Sequence, residues 1–434
     1  MAQSLAPASG TRDFGFAESA HRNGVLRMLE EIAQRYGFRR IETPSFERIE
    51  VLEGKYGDEG DKLIFKILKR GEKAISGEAD LALRYDMTVP MLRYYANNKN
   101  SLPRIFKRLQ YGPVWRADRP GKDRYREFFQ FDFDTIGSAS PIAMAECVAL
   151  VGASLSAVGI NSYTINLNSR PLLNQLLCSH GINADQADDA IRAVDKLDKI
   201  GVAGVRDELA QYGVDKASAD RLCDAIAADA FVANTRAQMQ AEHPEVIEHI
   251  DTIIAAGKAM QPDLQLVFNP LIARGLDYYT GEVFEATHPD VKGSIAGGGR
   301  YDGLTGMFTK GDVPGCGGSL GIERVLALAD AQKTTVQNTS VFIASWAGVS
   351  PTTLLEIAGQ LRVHGVEVHV NLGSNKIQSQ IRQAGELACQ FMLIQGPDEQ
   401  AQNQLVLRDL RTREQQALPL DTQAVLSAIK LVVS

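Results

Sequence analysis

The chain lacks the close pairings of cysteine and histidine that mark a metal or redox centre. Its five cysteines, Cys147, Cys178, Cys223, Cys316 and Cys389, are widely scattered, with none of the spacings that zinc or thioredoxin-like sites require. They are expected to be reduced and mostly buried. Of the seven histidines, the nearest pairs, His243 with His249 and His364 with His369, miss the i, i+4 spacing of a helical ligand pair, so no metal ligand set is expected. Also missing is any apolar run approaching the roughly 20 residues that cross a bilayer, which excludes a membrane-spanning helix. The stretch from Met1 to Ser9 has no basic segment followed by an apolar block, so it does not read as a secretory signal, and the expected location is the cytoplasm. A net charge of −7 argues against indiscriminate nucleic-acid binding and leaves only a local basic face. No glycine loop ends in Lys-Ser or Lys-Thr. Gly315 to Gly321 looks superficially like a dinucleotide fingerprint, but no hydrophobic strand precedes it and no βαβ unit surrounds it. Any nucleotide site is therefore of another design.

What remains is an ordinary globular composition, 44% hydrophobic and 23% charged over 434 residues, long enough for several domains. Val25, Leu29, Ile32 and Tyr36 fall on one helical stripe from about Glu18, closed by Gly37, and a short strand from Phe38 to Ile41 follows. From Asp61 to Lys73, lysines and arginines surround Leu63 to Leu68, as either a solvated hairpin face or a phosphate-facing edge. Two alternating runs flank Asp118 to Asp123, which predicts two antiparallel strands joined by a charged loop. After a strand at Tyr163 to Leu167, residues from about 171 to 260 read as a helical insertion. Strand-like sequence returns at Leu264 to Phe268 and Gly281 to Ala286, so one sheet is interrupted by the insertion. Beyond a polar boundary near residue 335, strand and helix alternate, predicting a small α/β domain with a largely parallel sheet and helices on both faces.

Two regions carry chemistry. Arg274-Gly275-Leu276-Asp277-Tyr278-Tyr279-Thr280, followed by Gly299-Arg300-Tyr301-Asp302-Gly303, has no apolar period to justify it and looks like the wall of a polar pocket. In the hairpin, Arg116, Arg119, Lys122, Arg124 and Arg126 can pair with phosphate through charge-assisted hydrogen bonds. Gln130, Asp132 and Asp134 alternate along the return strand and so face one side.

These residues carry a resemblance. Tyr111 to Arg116, the loop, and Arg124 to Phe128 resemble the second signature motif of class II aminoacyl-tRNA synthetases. Gly321 to Arg324 resembles the third, and the Pro44 region the first. Within that class, Arg274 to Thr280 and Gly298 to Leu304 are similar to the two histidine-specific motifs of the histidyl-tRNA synthetase family, and the likeness covers nearly the whole chain. It implies an α+β catalytic domain built on a mainly antiparallel sheet (1–335) with a helical insertion, and a C-terminal α/β anticodon-binding domain (336–434). It implies a homodimer that uses ATP with Mg2+, histidine and tRNA(His). Arg116, Arg124 and Arg324 fall at the ATP site, with Arg116 and Arg274 as the catalytic cations. Asp86, Thr88 and Gln130 fall where the family holds the α-amino group, Met87 is among the residues that border histidine, and Asp134, Tyr278 and Tyr279 fall around the imidazole. Arg116 and Arg274 also border the bound histidine. A catalytically silent relative that regulates the first enzyme of histidine biosynthesis is the alternative, although such proteins usually lack the C-terminal domain.

Two features depart from the common bacterial pattern. Asp86 and Asp134 stand where glutamate is commoner, which shortens their reach, and the loop of the second motif differs as well. In Asn375-Lys376-Ile377 and Arg382, the C-terminal domain offers groups near a helix start that could meet phosphates or unstacked bases.

Overall fold

A computed structural model of the chain describes residues 5–121, 124–273, 278–309, 311–334, 339–373 and 376–433. It divides into two compact units, Met1–Thr335 and Val336–Ser434. No helix among the described residues is long and apolar enough to cross a membrane.

The first unit is organised by an eight-stranded sheet. Its strands are β1 (Arg39–Arg40), β5 (Phe106–Trp115), β6 (Glu127–Ile136), β7 (Thr164–Ser169), β8 (Leu266–Phe268), β9 (Glu282–His288), β10 (Val291–Arg300) and β11 (Gly315–Gly321), in the order β1-β5-β6-β11-β10-β9-β7-β8. Only the edge pairs β1/β5 and β7/β8 are parallel. A separate small sheet orders β2 (Phe46–Arg48), β4 (Ala79–Leu83) and β3 (Lys66–Leu68) antiparallel. In the basic stretch, Lys66 pairs with Glu53 at 2.7 Å and Lys69 with Glu78 at 3.5 Å. These two lysines favour the solvated-face reading.

Helices cover one face of the large sheet because their apolar stripes need it. In α1 (Phe16–Arg35), Val25, Leu26, Leu29 and Ala33 are buried. The helix ends where Gly37 takes a φ of 82°, so that its N–H reaches Gln34 and the Phe38 N–H reaches Ala33. Beyond three short helical turns, α2 (Thr88–Asn98) leaves the loop that carries Asp86. Behind the sheet, α3 (Pro141–Ala157) starts at a Ser140 cap and is buried along most of its length. Against it packs α4 (Pro244–Met260), whose Ile247, Ile250 and Ile253 join the main core.

That last contact refines the expected insertion. Residues 171–260 are helical, but only the helices up to Glu242 build a cluster of their own, around Leu176, Ile191, Leu209, Leu222 and Phe231. Periodicity marks a buried stripe without saying what buries it, so α4 is indistinguishable from its neighbours in sequence. The final helix of the unit that concerns the site, α5 (Ile322–Leu328), follows directly from β11.

The second unit orders β13 (Glu367–Val370), β12 (Ser340–Ile343), β14 (Phe391–Ile394), β15 (Gln404–Asp409) and β16 (Gln415–Pro419) in one sheet. The first three are parallel, as the alternating pattern predicts, whereas β14, β15 and β16 are antiparallel. Helices α6 (Thr352–Val363) and α8 (Thr422–Val433) share one core cluster, and α7 (Ile377–Glu386) packs in another.

Candidate active site

The site grows from the β5/β6 hairpin. Its register sets Arg108 opposite Asp134, Gln110 opposite Asp132 and Gly112 opposite Gln130. Residues two apart share a face, so these six point the same way, while Leu109, Phe131 and Phe133 point into the core. The pairing continues into β11 and β10, extending one row as Arg108, Asp134, Gly317, Gly299 and the next as Gln110, Asp132, Ser319, Gly297. A polar face thus crosses the middle of the sheet.

Glycine makes that face deep. A Cβ on Gly317 would lie 2.3 Å from Asp134 Oδ1, and one on Gly299 would lie 2.7 Å from the Tyr279 ring. On the opposite face, a Cβ on Gly318 would strike the Phe284 ring at 2.7 Å. The glycine run of 315–321 therefore serves close packing inside an antiparallel sheet, not a phosphate-binding turn.

Above the hairpin, the loop before α2 brings in Asp86, Met87 and Thr88, all buried. Asp86 Oδ1 accepts from the Val89 N–H at 3.1 Å and from the Tyr56 hydroxyl at 3.0 Å. Arg116, at the end of β5, donates from Nε to the Tyr85 carbonyl at 3.1 Å. Its guanidinium lies 4.3 Å from the centre of the Tyr85 ring and 5.2 Å from that of Phe128. From the other side Tyr278 and Tyr279 close in, ring centres 4.9 Å apart, and Tyr278 meets Tyr301 edge-on. The Tyr301 hydroxyl donates to Asp134 Oδ1, and Arg108 Nη2 lies 2.5 Å from Asp134 Oδ2.

Three carboxylates in so small a buried volume perturb one another. Burial pushes the Asp86 carboxyl up to about 6, a rise restrained by the Val89 N–H and increased by Asp132. Burial likewise pushes Asp134 up to about 6, against the pull of Arg108 and Tyr301. Asp132 is raised by burial and held back chiefly by Arg108. Buried Asp86 Oδ2, Asp132 Oδ1 and Gln130 Oε1 have no hydrogen-bond partner among the described residues. An ionised, acceptor-rich pocket of this kind suits a cationic ligand with several N–H donors. Among the described residues, no group of three or more His, Cys, Asp or Glu is placed to hold a metal ion.

The remaining expected residues divide. Arg324, on α5, donates from Nη1 to the Ser294 carbonyl at 2.5 Å, under β10. Its neighbour Glu323 accepts the Phe129 N–H at 3.0 Å, tying the third motif to the second. Arg124 is in the exposed hairpin loop, paired with Asp118 at 2.8 Å. Arg274 lies outside the described residues, as do Gly275 to Asp277 and Lys122. Sequence reasoning passed over Arg108 and the aromatic support that Tyr85 gives Arg116, and it placed Tyr301 in the pocket wall without a role of its own. The parity of Arg108 and Asp134 across a hairpin whose loop sets the register was the available signal.

Comparison with known proteins agrees with this arrangement. The family model described as Histidyl-tRNA synthetase matches residues 10–325, and that described as Anticodon binding domain matches residues 341–427. The histidine--tRNA ligase of Gloeobacter violaceus is 36% identical over 98% of this chain and 99% of its own length. That of Christiangramia forsetii is 34% identical over 96% of this chain and 98% of its own. The crystal structure of histidyl-tRNA synthetase from Nostoc sp. PCC 7120 superposes with a TM-score of 0.81 at 29% identity, covering 99% of both chains. By its sequence, its fold and the full length over which both are shared, the chain belongs to the histidyl-tRNA synthetase family.

Proposed function

We propose that the chain is a histidine:tRNA ligase, which activates histidine with Mg-ATP and transfers it to tRNA(His). The observation that carries this reading is the polar sheet face of Gln130 and Asp134, with Asp86 in the loop above it, Tyr278 and Tyr279 closing over it, and the stacked Arg116 at its end. Asp86 and Gln130 offer acceptors to the substrate ammonium, with Met87 and Thr88 forming the loop around it. Asp134 and the tyrosines address the imidazole nitrogens. A rival amino acid without those nitrogens leaves buried polar groups unpaired, which supports discrimination of about 10⁴ to 10⁵ without editing.

The chemistry needs no protein nucleophile. The histidine carboxylate attacks the α-phosphorus of ATP, a P–O bond forms, and pyrophosphate leaves. The protein positions the two anions and stabilises the charge that develops. Arg116 and Arg274 supply that stabilisation, and Arg324 and Arg124 bind the nucleotide. Mg2+ enters as the ATP chelate, as part of the substrate. The enzyme works as a cytoplasmic homodimer. A catalytically silent regulator is disfavoured by the C-terminal match and by the presence of Arg116, Arg274 and Arg324.

Purified protein is expected to exchange pyrophosphate into ATP with histidine and with no other standard amino acid. Absence of exchange at saturating histidine and Mg2+ overturns the reading. The second unit is assigned to the anticodon, with Lys376 and Arg382 at the start and along the exposed side of α7 as contacts. Ending the chain at residue 335 is accordingly expected to spare adenylate formation and to impair tRNA charging. Unchanged charging by the shortened protein refutes the anticodon assignment.

A further inference from the structure

Arg108 heads the large side chains that are fully buried, with 0% of its surface exposed, and the reaction as described gives it no part. An arginine in such a place is costly unless its donors are met. Nη2 lies 2.5 Å from Asp134 Oδ2 and donates to the Met87 carbonyl at 3.1 Å, while Nη1 reaches the Asp132 carbonyl at 3.5 Å. Met87 lies between Asp86 and Thr88. One guanidinium therefore ties the strand that faces the imidazole to the loop that faces the amino group.

We infer that Arg108 is a positioning residue for histidine recognition: from beneath the pocket it keeps Asp134 a carboxylate and fixes its distance from the Asp86 loop. The inference rests on the reading of this face as a histidine site. Asp134 is met by Arg108 from β5, Asp132 along its own strand, Asp86 from the loop before α2 and Tyr301 after β10, with Cys147 of α3 behind the sheet. Among these described groups Arg108 alone is cationic. Burial already pushes the Asp134 carboxyl up to about 6, and Arg108 pulls against that rise. Without the guanidinium the carboxyl titrates higher, takes up a proton near neutral pH and loses its value as an acceptor. Raising the pH restores it.

The test uses the full chain carrying Arg108→Met, with histidine and ATP KM values from pyrophosphate exchange between pH 6.5 and 8.5. At pH 7 the histidine KM is expected to rise about twofold if the carboxyl moves up by one pKa unit and about tenfold if by two, since it starts from about 6. It should then fall steadily as the pH rises, while the ATP KM changes little. Arg108→Lys keeps a cation and is expected to restore a profile close to that of the unaltered enzyme. Should Arg108→Met fail to fold, Arg108→Gln, neutral but still a hydrogen-bond donor, takes its place with the same expected profile. Histidine and ATP KM values that rise together without pH dependence, or an unmoved profile in a folded neutral variant, overturn it. If the unaltered protein shows no histidine-dependent exchange, the functional reading itself fails, which is a separate outcome.

Discussion

Replacing Arg116 with alanine is expected to slow adenylate formation about 10²- to 10³-fold, the usual loss on removing one preorganised group that stabilises developing charge. Two anions, the histidine carboxylate and the α-phosphate, must meet at one point, and a planar guanidinium can hydrogen-bond to both at once. Arg116 is preorganised for this. Its Nε is held by the Tyr85 carbonyl and its plane rests against the Tyr85 and Phe128 rings, so little side-chain freedom is lost when substrate binds. Asp118, two residues on in the same loop, is engaged by Arg124 at 2.8 Å. Single-turnover measurement should show the rate falling far more than histidine binding does. Equal losses in the two quantities refute a role in the reaction step.

The second large effect concerns stability. Arg300 donates to Glu282 at 2.8 Å, both side chains almost wholly buried, and also reaches the carbonyls of Ser138 and Ser140 where the chain enters α3. His249, from α4, holds the other carboxylate oxygen. Arg300→Met leaves Glu282 a buried charge with half its support, a change that costs roughly 3–5 kcal/mol. A loss below about 1 kcal/mol in denaturant unfolding refutes the assignment. Burial alone would raise the Glu282 carboxyl, but His249 and Arg300 outweigh it and bring it from 4.5 down to about 2. A carboxyl depressed on folding stabilises the protein above its unfolded value. That contribution, about 3 kcal/mol, is fully present above pH 4.5 and lost as the pH falls toward 2. Because Tyr301 follows Arg300 directly, the same anchor sets the hydroxyl that reaches Asp134.

The hairpin was legible from sequence because its signals agree: aromatic residues alternate with polar ones on both sides of a charged, proline-bearing loop. From that alternation the common face of Gln130, Asp132 and Asp134 could be read directly. Arg108 could be placed only through its register partner Asp134, because both faces of this strand pair are covered, one by the core and one by the site. A charged residue there looks like an exposed one. Likewise, the antiparallel addition of β15 and β16 was missed because local periodicity identifies strands without giving their neighbours. The helical run shows the same limit in α4, whose isoleucines carry the pattern of its neighbours but pack against α3.

Gly299 and Gly317 let Tyr279 and Asp134 lie directly on main chain held by sheet hydrogen bonds. A side chain resting on such a floor keeps few rotamers. Its ordering entropy is already lost when the protein folds, so a ligand that meets it freezes little more.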